Sequence, residues 1–501
     1  MSESTYGKLH DEVIKANMLC SITAETITPM FIGGYDGKCY HGRELAYEGI
    51  RESSIKGVWR WWVRALLTAA IAKRHSKYVL LDSADEYASR ILGSTRKPSK
   101  YTIVVNVIKS SYVFIRNYGN ILGIPRVELL LKRKDMRDEA VIAPNTLFRI
   151  NVYRNTDTNR EEDEFAIWSL IVSLLFDGIG KGSSRGFGKV KILNRENYVR
   201  DLNNLLQKLY SSRKAEEIEK NLKEIINKAV EKAENVLELL EIKPRELRKL
   251  SDKPLIEIPL IKEQLMIIKV PRKWFGRAED ATRAIGNATL KLYYKTLNYV
   301  KKGFEERQAR QRAVRESGKS IHTWILGLPR AQEPPIIQDG KKVEKLRNKL
   351  KNELEKLRQR GFYINRANAK KLIEMIKYSE RVVSGKKVER VEIPTGYYHL
   401  GGEGRDLRLR RRSPIRFTVI RTDDDRYFIA IYAFKSYDWE RKRIINFLVH
   451  IGAYYIKIRT ERGRKTVDVQ YFSVTPITNI NIDEVLLNIV NNAKEIIETF
   501  R

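Results

Sequence analysis

Residues 177–190, DGIGKGSSRGFGKV, set five glycines around the cations Lys181, Arg185 and Lys189. Glycine lets backbone N–H groups come close to an anion, and arginine adds a two-pronged hydrogen bond to phosphate. The chemistry this suits is the holding of a phosphate backbone, with Lys181, Ser183, Ser184, Arg185 and Phe187 as candidate contacts. The G-x-x-x-x-G-K-[ST] spacing of a nucleotide-hydrolysing loop is absent, and the segment does not open a helix as a dinucleotide fingerprint does.

A second constellation is RESSIKGVWRWWVRAL, residues 51–66, in which Lys56, Arg60 and Arg64 recur every four residues as one polar stripe of a helix. Trp62 and Leu66 fall on another face and are expected in the core, while Trp59 and Trp61 stay open between core and surface. Helix N-terminal amides near Ser53, Ser54 and Ile55 would add an anion site beside Lys56. Further on, residues 401–421 hold seven arginines, Arg410, Arg411 and Arg412 among them, with Tyr397, Tyr398 and Phe417 nearby. Arginine with aromatic side chains suits single-stranded RNA, although a contact to another subunit would use the same arginines.

Catalytic and metal chemistry find little to work with. The six histidines lie at positions 10, 41, 75, 322, 399 and 450 without an H-x-x-x-H pair, so neither a metal site nor a cofactor is expected. Metal-free RNA cleavage needs a base at the 2′-hydroxyl and cations on the phosphate, and His41, close to Lys38 and Arg43, is the one candidate base. Asp423, Asp424 and Asp425 read as a turn between two strands rather than as magnesium ligands.

The elements that must position these residues follow from pattern. A strand over 18–31, a helix over 53–74, a short helix near 84–92, strands from 101 and 146, a helix over 161–176 and a last strand after the glycines give the order β-α-β-β-α-β. That is the split β-α-β, or ferredoxin-like, unit. After a charged helical connector at about 196–260, the order restarts with a strand at 264–270, a helix from about 279 to 302 and strands at 414–422 and 426–434. A further helix from about Trp439 and a final strand, VDVQYFSV from Val467, close it, and a helical insertion carrying thirteen Lys and Arg against five Asp and Glu interrupts it at 341–380. The fold class is therefore α+β: a domain over 1–195 and a degenerate copy over 261–501, both ferredoxin-like, the insertion spanning about 335–385. Gly452 and Arg462-Gly463 are the counterparts of the glycine segment in this copy.

The 501 residues carry 95 Lys and Arg against 62 Asp and Glu, a net charge of +33, so a polyanion is the expected partner. Two cysteines, Cys20 and Cys39, exclude a disulfide framework and fit a reducing cytoplasm. The longest uncharged apolar run, residues 165–176, is 12 long, short of a membrane span, and MSESTYGKLHD at the start does not resemble a signal peptide.

TPMFIGG (28–34), ESSIKGVWRWWVRAL, ILGS (91–94) and DGIGKGSSRGFGKV together resemble the RAMP proteins of CRISPR systems. Their order, with WILGLPR (324–330) and RRRSPIRFTVI (410–420), is most similar to the two-domain first subunits of type III-B, or Cmr, effector complexes. The resemblance implies a non-catalytic subunit near the guide 3′ end, binding CRISPR guide RNA, single-stranded target RNA or both, beside other Cmr subunits. By motif, Gly33 and Gly34 would shape the loop after the first strand, Lys56, Arg60 and Arg64 would face RNA, and Lys181 to Gly188 would be the RAMP glycine-rich loop. The alternative is a RAMP endoribonuclease that processes CRISPR transcripts; such enzymes carry their glycine-rich loop near the C-terminus, which disfavours this reading.

Overall fold

The computed structural model describes residues 17–32, 49–79, 81–109, 112–114, 140–193, 199–240, 242, 247–248, 261–289, 305, 340–359, 366–374, 377–383, 386–392, 396–399, 408–409, 414–436, 448–461, 464–476 and 482–500. In its first part β1 (Met18–Thr26) leads to the long helix α1 (Glu52–His75), the short helix α2 (Leu81–Leu92), β2 (Tyr101–Lys109), β3 (Leu147–Arg154), α3 (Arg160–Phe176) and β4 (Val190–Ile192). The strands hydrogen-bond in the order β2-β3-β1-β4, all antiparallel, so each helix crosses from one strand to another two places away. Alternation decides the faces: Cys20, Ile22 and Ala24 of β1 and Phe148, Ile150 and Val152 of β3 are buried, with polar residues between them facing out.

α3 begins with a reciprocal cap, the Asn159 side chain accepting from the Glu162 N–H and the Glu162 carboxylate accepting from the Asn159 N–H. α1 starts differently from expectation. Arg51, not Ser53 or Ser54, is its N-cap, because the Ser54 and Ile55 amides already bond the Arg51 carbonyl and draw both serines into the first turn.

The connector holds α4 (Arg200–Ser211) and α5 (Ala215–Leu237). Their charge balance suggests solvated helices, yet Ile218, Leu222, Ile225, Ala229, Ala233 and Val236 form a buried stripe of α5 that packs on α1 and α3. Charge on one face of a helix says nothing of the other.

In the second part β5 (Ile261–Lys269) is followed by α6 (Ala278–Ala288), and β6 (Ile415–Arg421) and β7 (Tyr427–Ser436) form a hairpin whose turn is Asp423 to Asp425. β7 lies between β5 and β6, the same arrangement as β3 between β1 and β2. Two helices cover this sheet, α6 and a C-terminal helix that follows the insertion. The insertion contains α7 (Gly340–Gln359) and α8 (Arg366–Glu374), and the C-terminal helix is α9 (Ile482–Glu498).

Three expectations for this part are corrected. VDVQYFSV does not join the β5-β7-β6 sheet; it lies in the strand Arg464–Pro476, paired along its length with Leu448–Glu461. Only two residues separate these strands, and a hairpin partner so close in sequence outcompetes a distant edge. Gly452 consequently sits within a strand, not in a loop. The helix expected from Trp439 begins outside the described residues, 448–461 being strand, and α9 takes the covering role instead.

One core joins the parts: Met266, Ile268, Ile420, Phe428, Tyr432 and Phe434 belong to the same buried cluster as Trp59, Trp62 and Trp168. Among the described residues no helix is long and apolar enough to cross a membrane.

Candidate nucleic-acid interface

The glycine segment joins α3 to β4 as a compact loop whose own backbone groups fix its shape. The Ile179 N–H donates to Gly188 O, Lys181 N–H to Phe31 O, Gly188 N–H to Pro29 O and Phe187 N–H to Gly182 O, all within 3.4 Å. Gly188 has φ +61°, and a Cβ there would stand 1.8 Å from the Ile179 carbonyl oxygen, so only glycine permits this crossing of the two arms. Gly180, at φ +93°, is held against the Phe31 carbonyl, whose oxygen is 2.5 Å from where a Cβ would be.

The loop displays some candidates and uses others internally. The Lys181 side chain is exposed and those of Ser183 and Ser184 half-exposed, and none bonds another described residue. Phe187 is 2% exposed and packs edge-on against Phe31, so it braces the loop instead of contacting a ligand. Arg185 is directed to the second sheet: its guanidinium donates to the Ile415 carbonyl at 3.4 Å, and the Phe417 N–H donates to the Ser184 carbonyl at 3.1 Å.

Beneath the loop lies a buried polar cluster that sequence reading missed. Asp177, the C-cap of α3, accepts hydrogen bonds from Trp62 Nε1 at 2.9 Å, Tyr432 Oη at 2.9 Å and the Arg416 guanidinium. Arg416 stacks 4.1 Å from the Trp61 ring centroid and 4.9 Å from that of Phe434. The Lys189 ammonium, 0% exposed, donates to the carbonyls of Phe176 and Asp177 at 2.6 and 2.8 Å. Burial alone would raise the Asp177 carboxyl, but Arg416 and Lys189 hold it below the ordinary carboxylate range. Burial pushes the Lys189 ammonium down to about 7, against the pull of Asp177.

Two of the seven arginines in 401–421 therefore serve the interior, Arg416 here and Arg421 through an ion pair with Glu25 of β1. Phe417 is buried as well and is no stacking surface. Strand alternation across IRFTVIR sets Arg416 and Thr418 opposite Ile415, Phe417 and Val419, on the face that reads as outward; that face is buried too, because the first part packs on it.

On α1 the polar stripe is divided. Arg60 donates to the Gly93 carbonyl and the Ser89 hydroxyl, and Arg64 pairs with Asp85 at 2.8 Å, so both clasp α2 and its ILGS end to α1. Lys56 is half-buried with no side-chain partner among the described residues, its ammonium pushed below the usual lysine range by burial and then by Arg60. Trp59 and Trp62 are fully buried, Trp59 bonding Ser169, whereas Trp61 is half-buried under Arg416. Ser54 is half-exposed in the first turn. Gly33, Gly34, His41, Arg410, Arg411 and Arg412 lie outside the described residues.

Residues 23–191 match the family model of the RAMP superfamily. A curated relative, the CRISPR system CMR subunit Cmr1 of Saccharolobus solfataricus, is 22% identical over an alignment covering 36% of this chain and 55% of that protein. The chain thus spans about half the length of that relative. A chain in the cryo-EM structure of the type III-B Cmr-beta complex bound to cognate target RNA and AMPPnP, in the presence of ssDNA, superposes with a TM-score of 0.53 at 14% identity, covering 96% of this chain and 100% of that one. A second Cmr-beta structure, bound to cognate target RNA, gives 0.50 at 15% identity over 94% and 99%. Built around a glycine loop packed on the segment that follows its first strand, residues 23–191 are similar to the RAMP superfamily, in a chain whose α+β fold is like that of a chain of the Cmr-beta complex.

Proposed function

We propose that this chain is a non-catalytic RNA-binding subunit of a type III-B CRISPR effector complex in the cytoplasm. It would contact guide RNA, single-stranded target RNA or both near the guide 3′ end, beside other Cmr subunits. The observation that carries the reading is the loop itself: a backbone locked by its own hydrogen bonds presents Lys181, Ser183 and Ser184 outward, as a sequence-tolerant grip on phosphates requires. Lys56 and Ser54 on α1, with Gly33, Gly34 and the Arg410–Arg412 run, complete the proposed contact set; base pairing with the guide would supply specificity. Arg60, Arg64, Arg185 and Phe187 support that surface from behind.

In this reading the chain consists of two ferredoxin-like units, 1–195 and 261–501, the second bearing the helical insertion. The β5-β7-β6 order, matching β1-β3-β2, supports the duplication. Among the described residues no cluster of His, Cys, Asp or Glu is grouped to hold a metal.

The test is a salt-titrated binding assay with unstructured single-stranded RNA, run beside a cleavage assay with repeat RNA and guide-complementary RNA, with and without divalent metal. Binding that weakens with salt at a log-log slope of about −0.7 per phosphate contact is expected, without cleavage. Salt-independent binding would remove the RNA reading, and cleavage abolished by His41→Ala would replace it with the endoribonuclease.

A further inference from the structure

We propose that the open face of the β2-β3-β1 sheet is a second single-stranded RNA site, one that reads bases where the glycine loop holds phosphates. This rests on the RNA-binding reading above and adds a surface to it.

Register places the residues. Thr102 lies opposite Tyr153, Val104 opposite Asn151 and Asn106 opposite Arg149, while Asn151 and Arg149 lie opposite Ser21 and Thr23 of β1. The other face of these strands is buried under α1 and α3, so this row faces solvent. Arg149 and Asn106 are exposed, Tyr153 and Thr23 half-exposed, and none of the four side chains bonds another described residue. Val104, 38% exposed, adds an apolar floor between them.

Such a combination is unusual for a merely solvated sheet. Exposed strands ordinarily pair their polar groups across the ladder, as Ser21 does with Asn151 at 2.7 Å. Here an aromatic ring, a guanidinium, an amide and a hydroxyl on adjacent strands have no side-chain partner among the described residues. These are the groups that stack a base and bond its edge. Along β3 the outward side chains step about 7 Å apart, comparable with the step of an extended single strand.

Charge favours RNA over a basic or apolar protein surface. Among the described residues of these three strands the one outward carboxylate, Glu25, is tied to Arg421, which leaves Arg149 and, past an irregularity in β2, Lys109 to set the sign. Tyr153 stands at the far end of the strands from Thr26, where the chain turns toward the glycine loop, so the two surfaces divide the length of the sheet between them.

The experiment uses the full chain and a short unstructured RNA bearing photoreactive thiouridine. The expected result is crosslinking to β3, a roughly five- to hundredfold weaker affinity for Tyr153→Ala, and near-normal affinity for Tyr153→Phe, which keeps the ring. Arg149→Ala should lower the log-log salt slope by about 0.7, with the melting temperature unchanged. If wild type binds RNA with normal salt dependence but Tyr153→Ala and Arg149→Ala match it, or crosslinks fall only on the glycine loop, the platform is overturned and the RNA-binding reading stands. If wild type binds no RNA at low salt, both fall. Protection of this face by a neighbouring protein in an RNA-free complex overturns the platform alone.

Discussion

The two parts of the chain build similar three-strand cores and finish them differently. In the first, α3 runs into the glycine loop and β4, which pairs with β1 at Ala24 to Thr26. In the second, among the described residues, β5 has no strand on its other side, and the edge of β6 meets the glycine loop of the first part through Ser184 and Phe417. The first part supplies the loop and the second supplies the surface it is pressed against. Most cations of the contact region divide accordingly: Arg416 and Arg421 hold the parts together, Lys189 ties the loop to the end of α3, and Lys181 is displayed.

The sharpest way to break this pairing is Asp177→Ala. It strips the acceptor from Trp62, Tyr432 and Arg416 at once and leaves Arg416 buried without its counter-charge, so a loss of about 3–5 kcal/mol is expected in urea denaturation. Gly188→Ala comes next. The new methyl would collide with the Ile179 carbonyl in a left-handed conformation, for about 1–3 kcal/mol of destabilisation, with weakened RNA affinity because the loop must open. A native-like melting curve with normal RNA binding would show that the loop does not need its crossing.

The pH dependence isolates Lys189. Its folded-state pKa, about 7, lies below that of an unfolded lysine, so between about pH 7 and 10 the unfolded chain binds more protons. Stability from this group should therefore rise as pH climbs through that window and be lost as pH falls toward 7. The measurement is the urea midpoint against pH, and Lys189→Met should flatten the slope.

The smallest effects separate clasp from display. Arg64→Ala should cost no more than about 1 kcal/mol and leave the RNA salt slope unchanged, since its partner Asp85 is 43% exposed. Lys181→Ala should do the reverse, shifting stability by less than about 0.5 kcal/mol while lowering the slope by about 0.7. Exchanged outcomes would mean that α1, not the loop, carries the phosphate contact.

Much of the first part was legible because its information is local. β-branched alternation marks β1 and β3, apolar periodicity marks α1 and α3, and the glycines mark a loop whose function follows from residue type. The buried cluster was not legible: Asp177 and Arg416 are separated by 239 positions, and nothing near either one names the other. Arg416 reads as a surface cation because alternation sets it on the polar face of β6, and only the packing of the first part on that face buries it. Arg60 and Arg64 show the same limit on a helix, where the stripe was correct but the neighbour covering it, α2, is visible only in three dimensions. Tyr153 and Arg149 gave no motif, since their meaning comes from register with two other strands.

The hydrogen bond from the Phe417 amide to the Ser184 carbonyl makes the glycine loop a shared component of two sheets. Anything that binds the loop better in this shape than in a loosened one must also favour cohesion between the two parts of the chain, by the same factor that cohesion improves its affinity. Ligand capture and internal rigidity are then a single reciprocal quantity, readable from either end: as a melting temperature that climbs with ligand, or as an affinity that drops when the seam is weakened far from the loop.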